Sequence, residues 1–207
     1  MREIRFEELG QISHSDADSL MRKMQAKRIE DEIPDTMLIC EHPEIVTVGP
    51  RARNDGVEPP AGYDSAPVDR GGGLTWHGPG QLVVYPIVKW DLEGESNVKA
   101  VIYLLEEWVI SAFSDLGIKG RRDERMQGVW VGNNKVCSIG LSFLRWTSRH
   151  GLTINCNTTP GRVEMVGGCG LGKDTTTSLA ALGFNNTTED ILDALKKRVE
   201  ALSRIES

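Results

Sequence analysis

Arg70-Gly71-Gly72-Gly73-Leu74-Thr75-Trp76-His77-Gly78-Pro79-Gly80-Gln81 runs without a break into Leu82-Val83-Val84-Tyr85-Pro86-Ile87. The second half is rich in β-branched and aromatic residues and reads as a central strand over 81–88, with Pro86 near its end. The first half reads as a long glycine loop emptying into that strand. Three consecutive glycines let backbone line a narrow site, Arg70 offers charge-assisted donors, and Thr75 and His77 set polar function beside the apolar wall of Trp76. Such a loop suits an acyl or phosphate group. It is neither a Walker loop nor a dinucleotide fingerprint, since G-K-[ST] and G-x-G-x-x-G are both absent, so nucleotide binding is not required.

Outward from that strand the elements alternate. Ser13 or Ser15 caps a first helix through about residue 31, carrying Leu20, Met21, Met24 and Ile29, and Pro34 stops it. Met37-Leu38-Ile39-Cys40 and a run from Ile45 read as two strands around a bend at His42-Pro43, followed by an exposed loop over 50–65. Val98, Val101, Ile102, Leu105, Val109, Ala112, Phe113 and Leu116 recur at helical spacing over 97–116. Gly128-Val129-Trp130-Val131, Gly132-Asn133-Asn134 and the run Lys135 to Gly140 have the form of a hairpin with an asparagine turn. A further strand follows at 152–156. The last helix carries Ile191, Leu192, Leu195, Val199 and Leu202 on one stripe, with Thr187 or Thr188 as its cap. This order predicts an α+β domain: a mixed β-sheet with packed helices.

Composition narrows the function. The 207 residues suffice for one well-packed core, and a single domain over 1–207 is the simplest division. With 39% hydrophobic and 26% charged residues the chain is a globule rather than a disordered tail. A net charge of −6 argues against general nucleic-acid binding. No apolar run spans a bilayer, and the N-terminal Met1-Arg2-Glu3-Ile4-Arg5-Phe6 has no apolar signal core, so no membrane partner and a cytoplasmic location are expected. Arg121, Arg122 and Arg125, with Arg145 and Arg149, form local basic clusters. These are either a docking patch for an acidic protein or an ordinary solvated surface.

The cysteines, at 40, 137, 156 and 169, show neither C-x-x-C spacing nor close histidine pairing, so no metal site and no disulfide framework is expected. Cys169 differs from the rest because Gly167-Gly168-Cys169-Gly170-Leu171-Gly172 surrounds it with glycine. Two readings stand at this point. The run is a tight turn holding an incidental small residue, or it is a covalent site where an acyl group and its oxyanion approach backbone N–H groups closely.

With these residues in view, the segment from Arg70 to Tyr85 resembles the signature of the lipoyl(octanoyl) transferases, the lipoate biosynthesis protein B family. Glu41-His42-Pro43 with Val46-Thr47-Val48-Gly49, Gly128-Val129-Trp130-Val131 with Lys135, His150-Gly151-Leu152 with Asn155, and Cys169-Gly170 follow in the family's order. The resemblance implies the fold of the biotin/lipoate protein ligase catalytic domain. It also implies octanoyl (or lipoyl) transfer from acyl carrier protein to a lysine of lipoyl domains, in 2-oxoacid dehydrogenases and the glycine cleavage H protein, with no cofactor. On this comparison Cys169 is the acyl-thioester nucleophile and Lys135 the base. Arg70, Gly71, Gly72, Gly73, Leu74, Thr75, Trp76, His77, Ser138, Ile139, Gly140, His150, Gly151, Leu152 and Thr153 line the acyl site. Gly168, where many relatives have proline, and Thr153, where alanine is common, depart from the pattern. The alternatives are an ATP-dependent lipoate or biotin protein ligase and a non-catalytic binder of acyl carrier or lipoyl domains. A cysteine with two histidines also raises a Cys-His protease or amidase.

Overall fold

The computed structural model describes residues 2–166 and 175–203. Along the chain run β1 (Ile4–Gln11), α1 (His14–Ile29), β2 (Asp35–Glu41), β3 (Ile45–Val48), α2 (Pro50–Asn54), β4 (Ser65–Pro67), β5 (Leu74–His77) and β6 (Gln81–Ile87). Then come α3 (Val98–Asp115), β7 (Gly120–Arg121), β8 (Val129–Val131), β9 (Asn134–Leu144), β10 (Thr147–Asn155) and α4 (Thr188–Lys197), with 3-10 turns at Ala180–Leu182 and Val199–Ser203. Among the described residues the strands form a seven-stranded sheet, β1-β2-β6-β10-β9-β8-β7, and a three-stranded sheet, β4-β3-β5. β1 lies parallel to β2, whereas β2, β6, β10, β9, β8 and β7 pair antiparallel in turn, so the sheet is mixed and the fold is α+β.

β6 is buried along its whole length because helices or strands cover both of its faces. Successive side chains of a strand point to opposite faces, and the sequence of β2 and β6 divides accordingly. Met37, Ile39, Leu82 and Val84 join Leu105, Trp108 and Phe113 of α3 and Ile191 and Leu195 of α4 in one core. Leu38, Cys40, Val83, Tyr85 and Ile87 face the other way, onto Ala17 and Met21 of α1. The small sheet builds a third cluster, in which Val46, Ala52, Leu74 and Trp76 meet Val163 and Val166.

Ser13 is the N-cap of α1 and accepts the N–H of Asp16, and Asn97 does the same for Ala100 at the start of α3. Thr187 and Asp190 form a reciprocal capping box on α4. Three segments differ from the sequence reading. Ile4–Gln11 forms an edge strand that had no assignment. The glycine loop contains β5, whose Leu74 to His77 pair with Ile45 to Val48 of β3, so the two strands around the His42-Pro43 bend belong to different sheets. The 50–65 segment is not all loop, because Pro50 starts α2, which buries Ala52.

β1 is tethered by a buried ion network. Arg2 Nε meets Asp35 Oδ2 at 2.6 Å, and its two Nη atoms meet the Glu95 oxygens at 2.5 and 2.7 Å. Removing the cation leaves Glu95 without its charge partner in a site screened from water. Arg2→Ala is therefore expected to destabilise the protein by about 3 kcal/mol, read from the midpoint of chemical denaturation at neutral pH.

Candidate functional site

On the α1 side of the large sheet, the stretch of β6, β10 and β9 carries small and polar residues instead of core residues. Cross-strand partners share a face, and the register sets Thr153 opposite Ser138, Gly151 opposite Gly140 and Asn155 opposite Gln81. The glycine loop and β5 cross above this floor and enclose a cavity of about 360 Å³. Gly140 is the close approach, since a Cβ there would lie 2.8 Å from the Gly71 carbonyl oxygen and 3.1 Å from Arg70 Cδ. Leu74, Trp76 and Val166 supply apolar wall over this floor, Ile102, Ile139 and Leu152 line the cavity from the α3 side of the sheet, and Lys135, buried on β9, supplies an amine.

Arg70 is buried and directs its guanidinium at the loop's own backbone. Nη1 donates to the Gly71 carbonyl (3.0 Å), and Nη2 to the carbonyls of Gly73 (3.1 Å) and Thr47 (3.2 Å) and to Thr47 Oγ1 (2.7 Å). A guanidinium cannot shed its proton, so the loop's oxygens gather around a permanent charge. From Thr47 a hydrogen-bonded chain crosses the cavity wall. Asn155 Nδ2 donates to the Thr177 carbonyl (3.0 Å), leaving Oδ1 to accept from Gln81 Nε2 (2.8 Å), which also donates to the Trp76 carbonyl (2.8 Å). Gln81 Oε1 must then accept, so His77 Nδ1, 2.9 Å away, carries the proton and His77 Nε2 accepts from Thr47 Oγ1 at 3.2 Å. Both nitrogens of His77 are committed to protein. These two bonds tie β5 to Gln81 of the floor and to Thr47 of β3.

All four histidines of the chain are buried and gather here with Tyr85. The His42 ring lies 5.5 Å from His14 and 5.5 Å from His77, and 5.9 Å from Tyr85, which lies 6.4 Å from His150. His42 Nδ1 donates to the Ile12 carbonyl (2.7 Å) and Nε2 accepts the Tyr85 hydroxyl (2.8 Å). His150 has a backbone φ of 56°, in the left-handed region, and its Nε2 lies 2.9 Å from Asp69 Oδ1. Burial holds all four imidazoles below their ordinary range, His14 at about 4, where the neighbouring His42 and His150 add to the effect.

Burial also pushes the thiols of Cys40, Cys137 and Cys156 up to about 12, so none of these three supplies a thiolate at neutral pH. Cys169 lies outside the described residues. Its described flanks both reach the cavity: Val166 and Thr176 line it, and the chain from Thr175 to Thr177 runs beside Lys135, whose N–H donates to the Thr175 carbonyl (2.8 Å) and whose carbonyl accepts the Thr177 N–H (3.0 Å). Among the described residues, no group of His, Cys, Asp or Glu could hold a metal ion, and no helix is long and apolar enough to cross a membrane.

A family model described as the lipoyl protein ligase A/B catalytic domain matches residues 15–200. The chain belongs to this family. An octanoyltransferase of Syntrophobacter fumaroxidans is 38% identical over 181 residues, which cover 84% of this chain and 78% of that relative. The bi-partite lipoate protein ligase of Thermoplasma acidophilum superposes with a TM-score of 0.69 over 100% of this chain and 86% of its own, at 13% identity. The biotin protein ligase of Aquifex aeolicus does so at 0.55, over 98% and 70%, at 15% identity. These two likenesses show the fold shared across the family's architecture.

Within that fold the cavity brings together Arg70, Gly71, Gly72, Gly73, Leu74, Thr75, Trp76, His77, Lys135, Ser138, Ile139, Gly140, His150, Gly151, Leu152 and Thr153. Gln81, which ends the loop read as an acyl cradle, lines it too, whereas sequence reasoning did not assign it His14, Tyr85, Met126 or Gln127. Tyr85 was legible in principle, since it alternates with the core residues of β6. The basic clusters prove internally compensated. Arg121 and Arg125 pair with Asp123, Arg122 with Glu106 and Glu107, Arg145 with Glu30, and Arg149 with Asp69. They form no uncompensated patch for an acidic partner.

The histidine cluster makes stability depend on pH. In the unfolded chain a histidine takes up its proton near 6.5, whereas the folded chain holds it neutral further down, so the unfolded state binds more protons below that value. Stability is full above about 6.5 and falls as the pH drops towards about 4, by up to about 1.4 kcal/mol per pH unit for each histidine. Denaturation midpoints taken from pH 7 to pH 5 should decline, and His14→Phe should flatten the decline.

Proposed function

We propose that the protein is an octanoyltransferase that carries a medium-chain acyl group from the thioester of acyl carrier protein to a lysine of lipoyl domains, in 2-oxoacid dehydrogenases and the glycine cleavage H protein. The observation that carries this reading is Lys135, a buried lysine in the wall of a cavity with both polar and apolar lining, whose backbone is hydrogen-bonded to the chain that follows Cys169. An ammonium beside a thiol favours its thiolate, and a neutral amine there takes a proton from an incoming nucleophile. The 38% identical octanoyltransferase, matched over 84% of this chain, supports the same chemistry.

In the first step the Cys169 thiolate attacks the carbonyl of the carrier thioester, and the tetrahedral intermediate collapses with expulsion of the carrier's thiolate, which takes its proton from the Lys135 ammonium and leaves that amine neutral. In the second the acceptor amine attacks the Cys169 thioester, Lys135 removes the amine proton, and the Cys169 thiolate leaves. One thioester is exchanged for another and then for an amide, so no ATP enters the balance. The apolar wall holds the aliphatic chain, and the Arg70-centred loop fixes its shape. We place the reaction in the cytoplasm, where the donor thioester and the acceptor domains would both be at hand.

The test is incubation with octanoyl carrier protein in the absence of ATP, followed by intact-mass measurement. Wild type should gain one octanoyl mass, and Cys169→Ala should not. An adduct that persists in Cys169→Ala would overturn the nucleophile, while modification of a lipoyl domain only after ATP is added would indicate a ligase. Lys135→Ala should lower kcat/KM for the overall transfer by about 10²- to 10⁴-fold.

A further inference from the structure

Lys135 is held in place by more than its own strand. Its backbone lies between β8, where it pairs with Trp130, and the 175–177 segment, and this double pairing fixes where the side chain begins. The direction of the side chain depends on Gly128. That residue has a φ of 122°, and a Cβ built on it would stand 2.7 Å from Lys135 Cε and 2.1 Å from the Cys137 carbonyl oxygen. The lysine stem therefore lies directly against bare backbone, at the point where the β8–β9 register shifts between Val129 and Trp130.

The backbone of Gly128 is in turn fixed by one carboxylate. Glu106, buried on α3, accepts the Gly128 N–H on Oε1 at 2.8 Å and the Arg122 Nε–H on Oε2 at 3.1 Å. One side chain thus closes both ends of the 122–128 segment against a helix. Arg122 is held besides by the Tyr103 ring, 3.7 Å from its guanidinium carbon, and by Glu107 at 2.7 Å. Met126 and Gln127, inside the closed segment, line the cavity.

We infer that Glu106 is a positioning residue for acyl transfer: by gripping the Gly128 N–H it sets the surface against which the Lys135 stem rests, and so the point from which the amine acts. This rests on the reading of Lys135 as the base. Glu106 does not line the cavity and acts through Gly128 alone. Its effect belongs in the rate of the chemical step, since the groups lining most of the cavity are attached to other elements.

The experiment measures kcat and KM for octanoyl transfer to a lipoyl domain, per folded molecule as gauged by circular dichroism, for wild type, Glu106→Leu, Glu106→Gln and Lys135→Ala. Glu106→Leu removes the acceptor and should lower kcat by about 10- to 100-fold, the scale of a misplacement near 1 Å, with KM within about twofold. Glu106→Gln keeps an oxygen for the Gly128 N–H and should recover most of that loss. A kcat for Glu106→Leu equal to wild type, with Lys135→Ala impaired, would overturn the inference and leave the base intact. A loss in Glu106→Gln as large as in Glu106→Leu would also overturn it, since the hydrogen bond would then not be what matters. A fully active Lys135→Ala would remove the reading of the base and the inference with it.

Discussion

A guanidinium that cannot be neutralised lies buried in the wall of the cavity, and the glycine loop is arranged around it. Burying Arg70 is costly unless its N–H groups meet oxygens, and carbonyls of its own glycine loop and of β3, with Thr47 Oγ1, accept from its two Nη atoms. Two glycines serve this arrangement: Gly72, whose φ of 95° lets the loop turn beside the charge, and Gly140, whose missing Cβ leaves room for the Gly71 carbonyl and the Arg70 stem. Fixing the loop in this way also fixes the roof of the cavity, the pairing of β5 with β3, and the position of His77 over Gln81.

Much of this was legible in the residues, for identifiable reasons. β6 stood out because burial on both faces requires an unbroken run such as Leu82-Val83-Val84-Tyr85. α3 stood out because its apolar positions recur over eighteen residues, and its Asn97 cap marks the start. β1 escaped because Ile4–Gln11 is an edge strand whose exposed positions are charged or polar or glycine, so only Ile4, Phe6 and Leu9 signal the sheet. β5 escaped because Gly73 and Gly78 bracket four residues whose alternation is too short to register against the glycine signal.

The candidate site divides along similar lines. Residues lying within compact motifs could be assigned together, and the cavity gathers them together. His14 could not be, since it reads as the first residue after a helix cap, and only the packing of α1 against β6 brings its ring to His42 and His77. The pairing of the basic clusters with acids was equally hidden, because Arg122 finds Glu106 across sixteen residues and Arg149 finds Asp69 across eighty. The chemical contrast among the cysteines depends on depth alone. Three thiols sit in strands or at their ends and are desolvated into inertness, leaving the fourth, among glycines, as the one whose environment sequence marks as different.

The hydrogen-bonded chain from Arg70 through Thr47, His77, Gln81 and Asn155 to the Thr177 carbonyl has a polarity. Every donor along it points away from the guanidinium, and reversing any one member would require turning two amides and moving an imidazole proton together. Water beside a reacting group reorients as charge develops and so exacts a reorganisation energy. These dipoles are locked at both ends and are already oriented before any ligand enters the cavity. The wall of this cavity therefore acts as a solvent that was organised once, during folding, and need not be organised again at each turnover.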